Sequence, residues 1–285
     1  MGLIDFILNV AALLLWLNWL SVRTGPVAQP YSLAGTLKKA GTSLAHRWKF
    51  LVALIVLLVF RALFYWKIGS AFSWTPKIHL VLVELPFQSV ERIPRQMLFF
   101  SLFSFFQTLA VFYLSLLLLS IVNRDLSDAD PLHRLVRLHL GWCEKLPQFV
   151  KIFLPLILGG LAWWASHPAL IWIQSVSPSK TATQVYLQAW LVGASTYLAW
   201  RFIIVTFLLL YLINSYVHLG NHPVWNYINV TSRKFLAPLL RLPLRYGRVD
   251  FAPLVEIAVV FFIMEIASHL HQVHWCGKIL TRIFG

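Results

Sequence analysis

Long apolar runs dominate the pattern of this chain. Five of them approach or exceed the roughly 20 residues that cross about 30 Å of hydrocarbon, and a sixth follows. The runs cover 3–20, 50–66, 97–122, 149–172, 186–217 and 251–273. Only helices satisfy every backbone polar group within one span without closing a barrel. The pattern therefore predicts an all-α polytopic membrane protein with about six transmembrane helices, the first of them an uncleaved span.

Three shorter segments between the runs combine an apolar stripe at helical spacing with basic residues on the opposite face. The stripes consist of Leu33, Leu37, Leu44 and Trp48, then Leu132, Leu135, Trp142 and Leu146, then Trp225, Ile228, Phe235 and Leu239. Amphipathic helices of this composition lie in the headgroup region of a bilayer. The second one is predicted to begin with Asp130 as N-cap and Pro131 as first helical residue.

A plan of span, interfacial helix and span thus occurs three times, in units of about 1–66, 97–172 and 186–273. The second and third units share prolines at both ends of the interfacial helix, Pro131 and Pro223, Pro147 and Pro238. True repetition and a chance recurrence of a simple pattern both remain open. The segment 67–96 is predicted to be a loop on the outer side, and the whole chain one membrane domain.

The formal net charge of +14 is concentrated in the three amphipathic segments, which hold fifteen of the 24 Lys and Arg residues. With six spans these segments share one side, so the positive-inside rule places them in the cytoplasm and both termini outside, on the periplasmic side. We predict contact with anionic lipids of the cytoplasmic leaflet, and not with nucleic acid. The basic residues predicted to face lipid are Lys38, Lys39, Arg134, Arg137, Arg233 and Arg245.

Catalytic and metal-binding motifs are missing from the sequence, which contains no HExxH, GxSxG, P-loop or GxGxxG. We therefore predict no enzymatic activity, no catalytic residues and no cofactor. Cys143 and Cys276 fall on opposite faces of the predicted topology and cannot pair within one chain. The His-rich segment 269–276 has spacings typical of interfacial histidines rather than of a metal site, and we predict no metal.

Charged residues inside the apolar runs are the remaining candidates for a site. Arg201 and Glu265 lie at comparable depths of antiparallel spans, so we predict a contact between them, either a structural ion pair or a polar site for an ion or lipid headgroup. Arg61 lies close to a span end and is predicted to reach the interface. Asp250 precedes the last run, as a helix N-cap or as a binding residue.

The segment 236–253, LAPLLRLPLRYGRVDFAP, resembles the YggT family of integral membrane proteins. Family positions are matched in order by Pro238, Arg241, Gly247, Asp250, Phe251 and Pro253, and His222–Pro223 stands where the family has Asn–Pro. The departures are Ala252 for the usual Ser, Arg248 for a second Gly, Lys234 for a Pro, and Pro243 displaced by one position. The resemblance implies a multi-spanning protein of bacterial inner or plastid membranes. Family members are associated with osmotic tolerance, cell-division gene neighbourhoods, assembly of the cytochrome b6 complex or nucleoid distribution.

Two functions of different classes are compatible with these features. The interfacial helices and the resemblance favour a non-enzymatic bacterial inner-membrane protein, acting as scaffold, accessory subunit or assembly factor for membrane complexes. Its partners would be lipids, other membrane proteins and, as a further option, copies of itself. The alternative is an osmotically relevant ion channel or transporter, because polar residues lie inside the predicted spans: Gln107, Arg201, Asn214 and Glu265.

Overall fold

The computed structural model describes residues 2–24, 44–69, 77–80, 83–86, 94–126, 130–173, 181–217, 222–237, 245–246 and 249–270. Helices dominate these ranges: α1 (Gly2–Thr24), α2 (Leu44–Gly69), α3 (Pro94–Val122), α4 (Pro131–Leu140), α5 (Gln148–Trp172), α6 (Ala182–Ser195), α7 (Trp200–Val217), α8 (Pro223–Leu236) and α9 (Ala252–Leu270). Two 3₁₀ turns, Gly141–Lys145 and Thr196–Ala199, follow α4 and α6. Short strands lie in the connections: β1 (Lys77–Leu80), β2 (Val83–Pro86), β3 (Arg245–Tyr246) and β4 (Val249–Asp250).

Within the described ranges, five helical segments are long and apolar enough to cross a membrane. They are Gly2–Leu20, Trp48–Lys67, Arg95–Val122, Gln148–Trp172 and Ala182–Val217. The prediction of a helical, multi-pass membrane protein is confirmed at this level. Helix α9 adds a shorter apolar stretch, Ala252–Ile263, so the sixth span stays a prediction.

The polypeptide forms two compact units. Unit 1 comprises Met1–Ile78 and Pro86–Ala110, and unit 2 comprises His79–Leu85 and Val111–Gly285. Helix α3 contributes its first half to unit 1 and its second half to unit 2. The prediction of one membrane domain built from three repeated units stays a prediction.

Unit 1 is built on α1 packed along α2, with the first half of α3 against both. Ala12, Leu54 and Phe105 form its buried apolar core. Leu44 and Trp48, which the sequence assigned to a first interfacial helix, belong instead to α2, because the apolar helix extends six residues beyond the start of the run. The rest of that predicted interfacial helix, including Lys38 and Lys39, lies outside the described residues.

A buried polar cluster joins the three helices of unit 1. The guanidinium of Arg61 is 1% exposed and donates to Asp5 Oδ1 at 2.9 Å, Asn9 Oδ1 at 2.7 Å and Ser104 Oγ at 2.9 Å. The Tyr65 hydroxyl donates to the same Asp5 oxygen. The prediction that Arg61 reaches the interface is wrong, because a carboxylate inside the bundle supplies the partner that water would otherwise provide.

Unit 2 contains three close helix pairings. Helix α5 packs along α6, whereas α7 packs against α8 and α9. The apolar run predicted as 186–217 is longer than one span needs, and the 3₁₀ turn Thr196–Ala199 divides it into α6 and α7. Helix α5 carries Pro155 and Pro168 in its interior, which membrane helices tolerate when neighbouring groups satisfy the freed carbonyls.

Candidate functional site

Helix α4 begins with the capping pattern that the sequence predicts. The Asp130 carboxylate accepts hydrogen bonds from the backbone N–H of Leu132 at 2.9 Å and of His133 at 3.4 Å, and Pro131 follows as first helical residue. Gly141 ends the helix at φ 55°, a left-handed conformation that favours glycine. The N-cap prediction for Asp130 and Pro131 is confirmed.

Helix α8 begins in a similar way, with a side chain before a proline. His222 Nδ1 accepts from the N–H of Val224 at 3.3 Å, and Pro223 is the first helical residue. Both prolines occupy the position at which a missing N–H leaves no helical bond unmade. The capping side chain and the proline after it therefore determine the residue at which each amphipathic helix starts.

The two amphipathic helices pack on protein as well as presenting an outer face. Val136 and Leu140 of α4, and Tyr227 and Ile228 of α8, are buried together with α3 and α7 side chains. On the predicted stripe of α4, Leu135 and Trp142 remain 50% and 73% exposed. Leu132 of the same stripe packs against the buried cluster, so helix α4 presents apolar side chains both to the protein and outward. On α8, the stripe predicted to lie in the headgroup region packs instead on protein: Ile228 is buried, and Trp225 and Phe235 lie against the same cluster.

A charged network fixes the segment after α4 to the spanning helices. Ser120 Oγ donates to Glu144 Oε2 at 2.5 Å, and Lys151 Nζ lies 2.9 Å from Ser120 Oγ and 3.1 Å from Glu144 Oε2. Arg137 Nε lies 3.6 Å from the other Glu144 oxygen. Since Ser120 and Lys151 are buried, this network ties the 3₁₀ turn and the start of α5 to α3.

The contact between Ser120 and Lys151 does not have the arrangement of a Ser–Lys nucleophile. In such a pair a neutral lysine accepts the serine proton. Here Lys151 donates to Ser120 while Ser120 donates to the Glu144 carboxylate. Ser120 is 1% exposed, so its hydroxyl is closed to a substrate from solvent.

Helix α8 is held by a second set of buried polar contacts. Asn123 Nδ2 donates to Thr231 Oγ1 at 2.8 Å, and Ser232 Oγ donates to the Phe207 carbonyl at 3.0 Å. Lys234 Nζ donates to the Val122 carbonyl at 3.1 Å. These bonds attach one short helix to the end of α3 and to the middle of α7, so its orientation is fixed from its inner side.

Tyr227 lies in the same buried layer. Burial raises the pKa of its hydroxyl to about 12, although the nearby side chains of Asn123 and Thr231 act to lower it. The hydroxyl makes no hydrogen bond of good geometry among the described residues. Tyr227 is therefore neutral at physiological pH and adds no charge to the layer beneath α8.

The outer faces of α4, the Gly141–Lys145 turn, the start of α5 and α8 carry exposed basic and aromatic side chains. We call this surface the basic platform. It comprises Arg124, Arg134, Lys145 and Arg233, flanked by the exposed Trp142 and Phe149. Arg124 Nη1 donates to Gln148 Oε1 at 3.1 Å, which places a cation beside the start of α5.

The predicted lipid-facing residues have different places in the structure. Arg134 and Arg233 are exposed, whereas Arg137 is half-buried and also faces Glu144. Arg245 belongs to β3, and its side chain is not described. Lipid contact by these residues stays a prediction.

The residues that carry the YggT resemblance are described only in part. Pro223 begins α8, whereas Pro238, Arg241 and Gly247 lie outside the described residues. The backbone of Asp250 pairs with Arg245 across the β3–β4 ribbon. Helix α9 starts at Ala252, with the Phe251 carbonyl accepting from Val255 N–H at 3.0 Å and Pro253 buried in the first turn. A capping role for the Asp250 side chain stays a prediction.

The predicted contact of Arg201 with Glu265 concerns two helices that do pack together, α7 and α9. Arg201 is half-buried, and its guanidinium lies 4.4 Å from the centre of the Phe202 ring. Glu265 is on the exposed side of α9. The pair, and either role suggested for it, stays a prediction.

Two polar groups of the fold were not predicted from the sequence, namely the Arg61 cluster and the Ser120–Glu144–Lys151 network. The Arg61 cluster does have a signal in the sequence, because Asp5 and Arg61 lie near the ends of neighbouring apolar runs that form an antiparallel pair. Opposite charges at matching depths of adjacent spans indicate a buried ion pair. For the second, Glu144 is the sole acidic residue between Asp130 and Asp250.

No protein-family model, no curated protein and no solved structure matches the chain. The YggT resemblance therefore stays a prediction, and the site is interpreted from its own geometry.

Replacing Asp130 with alanine is expected to destabilise the platform by about 1 kcal/mol, because two backbone N–H groups lose their acceptor. The melting temperature of the purified protein in detergent should fall measurably. Asp125→Ala is the matched control, since Asp125 is 87% exposed and lies 3.8 Å from Lys234, and an exposed pair of this kind contributes little. Equal melting temperatures for the two variants would contradict the capping role.

Proposed function

We propose that this protein is a non-enzymatic scaffold, accessory subunit or assembly factor for complexes of a bacterial inner membrane. The observation that carries the proposal is the basic platform. Its helices are fixed from the inner side by buried hydrogen bonds and ion pairs, while Arg134 and Arg233 point outward unburied. A rigid surface of fixed charge suits recognition of a partner, because little conformational entropy is lost on binding.

The proposed mechanism is adhesion at the cytoplasmic surface of the membrane. Trp142 and Phe149, 73% and 72% exposed, would enter the headgroup region, where aromatic side chains are favoured. The arginines and Lys145 would then contact anionic lipids and the acidic surface of a partner protein. With α9 as a sixth span, this orientation would place both termini on the periplasmic side, in accordance with the charge pattern of the sequence.

Photocrosslinking from the platform tests this function in intact membranes. A photoreactive amino acid introduced at position 134 or 233 should form a discrete adduct with another protein, identified by mass spectrometry. The control is position 95, because Arg95 is also an exposed arginine but lies in the first turn of α3, on the predicted outer side. Adducts at position 95 of equal intensity, or lipid adducts alone at all three positions, would contradict the proposal.

The channel alternative rests on polar residues inside spans. One of them, Asn214, donates to Asn229 Oδ1 of α8 at 3.1 Å, a contact that attaches α8 to α7. Arg201 remains the best-placed candidate for a transport path, since it is half-buried in the middle of Ala182–Val217. Ion flux in liposomes containing the purified protein would favour this alternative.

A further inference from the structure

Helices α5 and α6 approach each other closely enough for their backbones to touch. A β-carbon at Gly193 would overlap the carbonyl oxygen of Leu156, and one at Gly160 would lie 3.2 Å from the Ala189 carbonyl oxygen. Small residues permit this approach between membrane helices. Next to this close contact, the larger side chains of α5 and α6 do not fill the space between the two helices, and a groove remains.

The groove has a volume of about 450 Å³ and an apolar lining. Its walls include Leu156, Ile157, Gly160, Trp164, Tyr186 and Trp190. The three aromatic side chains are 57%, 63% and 64% exposed, so they stand at the rim rather than filling the space. The volume lies within the range of about 300–1,000 Å³ typical of small-molecule sites.

A second cavity, of about 440 Å³, continues the groove. It shares Trp164 and Tyr186 with the first and adds His167, Pro168 and Ala182. The lining is apolar in most of both cavities and is more polar at the end near His167 than at the end near Gly160. The site as a whole matches an amphiphile, with an apolar chain and a polar end.

The membrane determines which molecule has access to the groove. Both walls belong to segments that are long and apolar enough to span the bilayer. An apolar cavity of this kind is unfavourable for water, which needs several polar partners. Since the aromatic rim faces outward from these segments, the medium that enters it is the hydrocarbon of the bilayer.

The positions of Gly160 and His167 along α5 fit an amphiphile whose polar head lies at the membrane surface and whose chain reaches toward the middle of the bilayer. Gly160 lies twelve residues after Gln148, or about 18 Å along the helix, close to the middle of the span. His167 lies only five residues, or about 7.5 Å, before the end of the helix at Trp172. The polar end of the groove is thus nearer to the membrane surface than the apolar end.

We propose that this groove binds one acyl chain of a membrane phospholipid, with the chain beside Gly160 and the glycerol end toward His167. The chain replaces the contacts that α5 and α6 cannot make with each other along the groove. Retention of this lipid is independent of the function proposed for the basic platform, which lies on other elements.

Labelling with a phospholipid that carries a diazirine in its acyl chain tests the site. The protein is reconstituted in vesicles containing this lipid, irradiated, and analysed by peptide mass spectrometry. Labels should concentrate on 156–164 and 186–190. Trp164→Ala should reduce them at least about fivefold, the factor that corresponds to losing roughly 1 kcal/mol of aromatic packing.

Trp172→Ala is the matched control, because Trp172 lies on the same helix, has the same 57% exposure and is not part of the groove. It should leave labelling unchanged. Leu161→Trp provides a second variant, because Leu161 lines the groove and is 54% exposed. The larger side chain should fill the groove and exclude the lipid even where Trp164→Ala reduces the yield. Labels spread evenly over all lipid-exposed faces, or equal labelling in the Trp164 and Trp172 variants, would overturn the proposal.

Discussion

Replacing Arg61 with leucine is expected to destabilise unit 1 by about 3–5 kcal/mol, the usual cost of removing one partner from a buried ion pair. Asp5, Asn9 and Ser104 would each lose the donor that Arg61 supplies. Because Arg61 is 1% exposed, water cannot replace the guanidinium without opening the bundle. The melting temperature in detergent and the yield of monodisperse protein should both fall sharply.

Three further variants make this prediction specific. Arg61→Lys should show an intermediate loss, because an ammonium group keeps the charge but not the planar fork that reaches three partners. The double variant Asp5→Leu with Arg61→Leu should recover part of the stability, since neither charge is then buried alone. Arg95→Leu, an exposed position of the same unit, should have little effect. A double variant no more stable than Arg61→Leu would show that charge pairing is not the source of the stability.

Replacing Gly193 with alanine is expected to have the second largest effect, a loss of about 1–3 kcal/mol from overpacking. The added methyl group would overlap a backbone carbonyl oxygen of α5, which cannot rotate away as a flexible side chain can. Helices α5 and α6 would have to separate, and the melting temperature in detergent should fall.

Gly160→Ala provides a graded comparison, because its β-carbon would lie at 3.2 Å from the Ala189 carbonyl oxygen, a tight but nearly tolerable distance. Its melting temperature should lie between those of Gly193→Ala and the wild type. Gly2→Ala, with open space around the position, should match the wild type. A Gly193→Ala protein as stable as Gly2→Ala would contradict the close approach of α5 and α6.

The helices of this protein could be predicted from sequence because each depends on a local property. The runs 97–122 and 149–172 correspond closely to α3 (Pro94–Val122) and α5 (Gln148–Trp172), since hydropathy and length decide both. The start of α4 was predictable because Asp130 and Pro131 act on their immediate neighbours.

Features that depend on contacts between distant residues were not predicted. Arg61 bonds to Asp5 and Asn9, which lie more than fifty residues away in the sequence. Its position near the end of its own span, taken alone, predicted a side chain that reaches the membrane interface. The inner face of α4 is buried by residues of α3, α7 and α8, whereas the predicted stripe mixed Leu132, which packs on that side, with the exposed Leu135 and Trp142. The break at Thr196–Ala199 lies in a continuous apolar run and has no proline to mark it.

The same distinction applies to the candidate site. The positions of Arg134 and Arg233 on amphipathic helices followed from helical spacing, and both are exposed. The orientation of the helices that carry them depends on the Glu144–Lys151 ion pair and on the Asn123–Thr231 hydrogen bond. Each of these contacts joins residues of two different elements. Pairings of this kind require the tertiary fold.

The central claim is that the basic platform serves a partner in a membrane complex. The most direct measurement is the mass of the tagged wild-type protein, extracted from its native membrane in lipid nanodiscs without detergent. We predict a particle that contains a second membrane protein in fixed ratio to this chain. A particle that contains only this chain and lipid, as a monomer or a homo-oligomer, would contradict the claim and favour the channel alternative.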